Sequence, residues 1–72
     1  MSTTYNAAIA CRTVDRVFNE LLAQLGCNDG TDANMISHWQ EGDRPGFRVQ
    51  VTSKLTGKTL TRFAGANGII SV

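Results

Sequence analysis

Between positions 4 and 25 the apolar residues Ala7, Cys11, Val14, Phe18, Leu21 and Leu25 advance in steps of four and three. That spacing draws one apolar stripe along a helix, widened by Ala10, Val17 and Leu22, with Arg12, Arg16, Asn19, Glu20 and Gln24 mostly elsewhere. Ser2, Thr3 and Thr4 can cap its start, and Gly26 suits the left-handed position after its end. Thr13, Val14 and Val17 are weaker helix formers, so an edge strand over residues 4–10 with Thr13 capping a shorter helix is the alternative to one long helix.

Past Phe47 the period changes to two. Phe47, Val49 and Val51 alternate with Arg48, Gln50 and Thr52, as in a half-buried strand. Leu55-Thr56-Gly57 suits a three-residue hairpin loop, which would set Lys54 opposite Lys58, Gln50 opposite Arg62 and Val49 opposite Phe63. Asn67-Gly68 suits a two-residue hairpin, setting Phe63 opposite Val72 and Gly65 opposite Ile70. In that register Phe47, Val49, Val51, Phe63, Ile70 and Val72 share the face that receives the helix. Arg48, Lys54, Lys58 and Arg62 share the other face with Gln50, Thr52, Leu60 and Ile69. Residues 33–40, ANMISHWQ, read either as a strand pairing with residues 46–52 or as a short helix capped by Asp32, the strand being preferred. The expected architecture is α+β: one long N-terminal helix, about 4–25, packed on a three- to four-stranded antiparallel meander over about 34–72, the whole chain 1–72 forming a single domain.

Length limits what such a chain can do. Its 72 residues give a small core and little room for a deep pocket. With 42% hydrophobic and 18% charged residues the chain reads as an ordinary folded domain rather than a disordered segment. No apolar run reaches the roughly 18 residues of a membrane span, and the first residues do not resemble a secretory leader. Cys11 and Cys27 form no C-x-x-C pair, and sixteen helical residues would hold them roughly 24 Å apart, too far for a bridge. Two free thiols point to a cytoplasmic setting.

Charge is divided along the sequence. Residues 1–43 hold two cations against six acids, a balance of −4. Residues 44–72 hold Arg44, Arg48, Lys54, Lys58 and Arg62 and no acid, a balance of +5. Such asymmetry marks a surface for an acidic partner, or simply solvates the two halves. Chemistry is harder to find. His38, the one histidine, neighbours Ser37, but neighbours on a strand face opposite ways and form no nucleophile–base pair. Cys27, His38, Asp29 and Asp32 match no metal-ligand spacing. Thr56-Gly57-Lys58-Thr59 lacks the upstream glycine of a phosphate loop, and GANG reads as a hairpin turn. The expectation is a non-enzyme without metal or cofactor.

Two binding roles remain. The first is a protein-binding module, an inhibitor or adaptor, using Trp39 as an aromatic anchor (or burying it in the core) and Arg44, Arg48 and Arg62 as contacts, with Lys54 and Lys58 extending the basic face. By size class alone it is similar to small phage and mobile-element proteins that block host machinery, anti-CRISPR proteins among them. The second is nucleic-acid binding, by four cations on the outer sheet face that would track phosphates. On the expected faces no aromatic accompanies them. A variant rests on LLAQLG and MISHWQEG, which resemble the two helices of a phage-repressor helix-turn-helix over about 20 residues, although the linker CNDGTDAN is long for that turn. The final segment GIISV could leave an edge that pairs with another copy, so a homodimer is compatible with either role.

Overall fold

A computed structural model describes residues 7–72. Helix α1, Ala7–Leu25, is followed by a single 3-10 turn, Gly30–Asp32, and by strands β1 (Ala33–Gln40), β2 (Gly46–Ser53), β3 (Thr59–Gly65) and β4 (Ile70–Ser71). The strands form an antiparallel meander in chain order, and α1 crosses one face of it over β2 and β3. This is the expected α+β layering. The capping residues Ser2, Thr3 and Thr4, and residues 4–6 of the expected helix, lie outside the described residues.

Residues 7–10 are helical, which removes the edge-strand alternative for that stretch. The buried stripe of α1 is rotated from the expected one. Ala10, Thr13, Val14, Val17, Leu21 and Leu22 are buried, whereas Ala7 and Cys11 are exposed. Thr13 enters the core because its hydroxyl donates to the Ile9 carbonyl at 2.7 Å, so no polar atom is stranded. The helix ends in a Schellman arrangement. Gly26 has φ +76°, its N–H reaches the Ala23 carbonyl, and the Cys27 N–H reaches the Leu22 carbonyl at 2.9 Å. Leu22 and Cys27 both join the core cluster, the hydrophobic contact that accompanies this cap. Both cysteines are free thiols.

Residues 33–40 are a strand, paired from Ala33 opposite Ser53 to Gln40 opposite Gly46. The short-helix alternative, and with it the helix-turn-helix resemblance of MISHWQEG, is overturned: the segment is extended and hydrogen-bonded into a sheet.

Both hairpin registers differ from expectation by one residue. In the first, the Ser53 N–H donates to the Lys58 carbonyl at 2.9 Å, so four residues, 54–57, form the loop and Lys54 does not face Lys58. Ser53 sets this length. Its buried hydroxyl accepts from the Leu55 and Thr56 amides at 3.1 and 3.3 Å, and Gly57 closes the turn at φ +78°. In the second, the Gly65 N–H donates to the Ile69 carbonyl, leaving residues 66–68 as a three-residue loop with Gly68 at φ +87°. A two-residue Asn67-Gly68 turn would need a positive φ at Asn67, and among the described residues only glycines have one.

The shift moves β3 by one face. Val49 pairs with Arg62 and Arg48 with Phe63. Leu60, Arg62 and Ala64 therefore lie on the helix side with Val49 and Val51, and Phe63 lies outside. The core is Val14, Val17, Leu21, Leu22, Ala33, Val49, Val51 and Ala64, with Phe18, Leu25, Cys27, Phe47, Leu60 and Ile70 packed around it. Ala64 and the adjoining Ala66 are fully buried, and these small side chains fill the space under the helix that a phenyl ring would overfill.

Candidate functional site

The sheet face turned away from α1 carries one cross-strand row: His38, Arg48, Phe63 and Ser71, one residue from each strand in register. The loop between β1 and β2 brings Arg44 over this row. Its guanidinium carbon stands 5.3 Å from the Phe63 ring centroid, a cation–π distance, and Nη2 donates to Ser71 Oγ at 3.2 Å.

Two glycines make the arrangement fit. Gly46 pairs with Gly65, and a Cβ at Gly46 would meet the Ala64 carbonyl oxygen at 2.5 Å, Phe63 Cζ at 2.8 Å and Gly65 Cα at 2.9 Å. The ring of Phe63 thus lies down over bare backbone instead of standing off the sheet.

Beside it opens a groove of about 380 Å³, lined by Gln40, Arg44, Arg48, Thr61, Arg62, Phe63, Ser71 and Val72. No Asp or Glu side chain is among these residues. Two acids flank the lining in sequence: Glu41, whose Oε2 accepts the Trp39 indole N–H at 2.7 Å, and Asp43, an exposed residue outside the lining. Two guanidiniums, side-chain amide and hydroxyl groups and an aromatic surface therefore converge on an open site. That set can neutralise an anionic group and pack a flat or apolar one beside it.

The structure brings together only some of the residues expected to contact a partner. Arg44 and Arg48 meet at the groove. Arg62 belongs to its lining, but its pairing with Val49 turns it to the helix side, where Nη2 reaches Gln24 Oε1 at 3.5 Å and Nη1 donates to the Thr61 carbonyl at 2.7 Å. Its charge is committed to the rim of the core, a correction to the expected outer-face position. Lys54 and Lys58 lie past the opposite end of β2 from Arg44, with the strand's seven steps from Gly46 to Ser53, ~23 Å, between them. They do not continue the groove.

Trp39 is neither in the core nor on the outer face. It stands on the helix side of β1, beyond the helix, 41% exposed, with its ring edge-on to Phe47 at 5.1 Å. Ile69 closes the second hairpin opposite Gly65, exposed on the outer face as expected, whereas Leu60, also expected there, lies on the helix side packed against the core.

Phe63 is the residue that sequence reasoning missed. A signal was present: the expected register left Leu60 stranded outside, whereas the observed one buries it and exposes Arg62 at a rim where polar atoms can reach it. No helix of the described residues is long and apolar enough to cross a membrane. No protein-family model matches the chain, and no curated protein or solved structure matches it either.

Proposed function

We propose that the chain is a small non-enzymatic binding module, an inhibitor or adaptor, that presents the uncovered sheet face to an acidic surface of a protein partner. The observation that carries this reading is the convergence of Arg44 and Arg48 on Phe63 at an open groove with no carboxylate side chain in its lining. Arginine beside an aromatic ring is the composition of an interface anchor, and the surrounding amide and hydroxyl groups supply orientation. A cytoplasmic setting is part of the proposal, supported by the unbridged Cys11 and Cys27. So is the kinship of role with phage-encoded blockers, which rests on size class alone.

The test is differential capture. Tagged wild-type chain and the Arg44→Glu, Arg48→Glu double variant, matched for fold by circular dichroism, are exposed to the same lysate. A partner retained by the wild type and lost by the variant supports the reading. Partners bound equally by both would count against it.

One observation favours a second reading. Phe63 supplies an aromatic on the basic face, so a single-stranded nucleic acid could stack a base on it while Arg44 and Arg48 hold phosphates. Fluorescence anisotropy with labelled single-stranded DNA and RNA decides between the two. Binding at low salt that weakens steeply with added salt and disappears in Phe63→Ala favours nucleic acid. Flat traces at low salt remove it.

A further inference from the structure

The geometry points to β1 as a self-pairing edge: we propose that two copies of the chain join β1 to β1 in antiparallel register about Ser37, making one continuous eight-stranded sheet. The proposal is independent of the outer-face groove.

The direction of the backbone groups carries it. The Lys54 N–H donates to the Asp32 carbonyl at 2.8 Å, so along β1 the even-numbered residues aim their amides and carbonyls at β2. The hydrogen bond from Ser53 to Lys58 agrees, since it turns the odd-numbered residues of β2 toward β3. Met35, Ser37 and Trp39 therefore point theirs outward, where no other strand of the described sheet pairs with them.

The edge is also undefended. Strand β1 spans eight residues, ANMISHWQ, without a Lys, Arg, Asp, Glu or Pro. Those are the residues that protect an open edge from a second chain. The opposite edge is blunt, because β4 has only two residues, Ile70–Ser71. The expectation that the final segment GIISV supplies the pairing edge thus gives way to β1.

Self-complementarity selects the occupant. A two-fold axis normal to the sheet keeps each face on its own side, so odd residues must meet odd residues. Centred on Ser37, the register sets Met35 against the second copy's Trp39 twice over, and Ile36 against its His38. Met35, Ile36 and Trp39 are 39%, 52% and 41% exposed, the large apolar residues that the fold leaves open on this strand. Centring on Ile36 would set Trp39 against Ala33, which is already buried within its own chain. The Trp39 indole N–H is satisfied by Glu41, so its ring can be covered without stranding a donor. The pairing would add about six main-chain hydrogen bonds at positions 35, 37 and 39 and extend a core that is marginal at this chain length.

Sedimentation equilibrium on the full chain from 5 µM to about 1 mM, with residue-resolved amide exchange over the same range, tests this. The expected result is a monomer–dimer equilibrium in which the amides of Met35, Ser37 and Trp39 gain protection with concentration while those of Ile36 and His38 stay constant. Ser37→Lys, which opposes two ammonium groups on the axis at an exposed position, should raise the dimer dissociation constant at least tenfold. A chain that stays monomeric at 1 mM overturns the proposal, and so does a partner protein that adds its own strand to a monomeric β1. A dimer with new protection at β4 instead, or one as tight in a folded Ser37→Lys as in the wild type, overturns it too. The exchange pattern of the wild type stands alone if the variant does not fold.

Discussion

Val49 and Arg62 face each other across β2 and β3, so a fully buried aliphatic residue and a guanidinium share the helix side of the sheet. The pairing is tolerable because Arg62 lies at the margin, where Gln24 Oε1 and the Thr61 carbonyl accept hydrogen bonds from its guanidinium. It also assigns opposite energetic roles to Val49 and Phe63. Val49→Ala opens a cavity in the core and should cost about 2 kcal/mol. Phe63→Ala removes a half-buried ring from the outer face and should cost only about 1 kcal/mol, against about 3–5 kcal/mol for a core phenylalanine. Urea unfolding of the two variants checks the register, and a Phe63→Ala loss larger than that of Val49→Ala would contradict it.

Gly46 tolerates no side chain. A methyl group there meets backbone atoms of Ala64 and Gly65 as well as the Phe63 ring, and backbone cannot swing aside as a flexible side chain can. Gly46→Ala should destabilise by about 1–3 kcal/mol and shift the Phe63 ring resonances as the ring lifts from the sheet. Unchanged ring shifts would show that Phe63 does not rest on this glycine.

Ser53 holds the first hairpin at four residues. Removing its hydroxyl releases two loop amides that can still reach water, so Ser53→Ala should cost about 1 kcal/mol rather than the larger penalty of sealed-in donors. Ser53→Thr keeps the acceptor and should retain part of the stability. Thermal unfolding of the two variants separates the hydrogen-bond contribution from packing.

Asp29 caps the 3-10 turn, and the Thr31 hydroxyl and then the Thr31 amide, both donating to its carboxylate, hold its pKa below the ordinary value of 3.8. A depressed folded value favours the folded state above the unfolded carboxylate pKa, and the contribution disappears as pH falls through the folded one. The carboxyl resonance of Asp29 should therefore titrate below 3.8, and Thr31→Val, which removes the hydroxyl, should move it upward. Because the group is fully exposed, the associated stability change is small and screened by salt. A midpoint unchanged by Thr31→Val would remove the hydroxyl as the cause.

Elements written in strong periodicity were legible from sequence. The helix from Ala7 to Leu25 and the alternation Phe47, Val49, Val51 announced themselves because each apolar position repeats on one face. Register was not legible, for a physical reason visible in β3. In TLTRFAG each alternating set holds a misfit: Arg62 among Leu60 and Ala64, or Phe63 among Thr61 and Gly65. Pattern alone cannot choose between a cation at the rim and a ring outside. Loop length chooses, and it depends on the Ser53 hydroxyl and on Asn67 avoiding a left-handed conformation. The same ambiguity conceals the groove, since the residue pattern marks Arg44 and Arg48 as contacts while the expected register places Phe63 in the core.

Ala10 on the helix, and Ala64 and Ala66 at the end of β3 and in its turn, are all sealed from solvent. Methyl groups at these positions draw the two layers close and fill the space beneath the helix among the described residues. Enlarging any of these three side chains would pry helix and sheet apart.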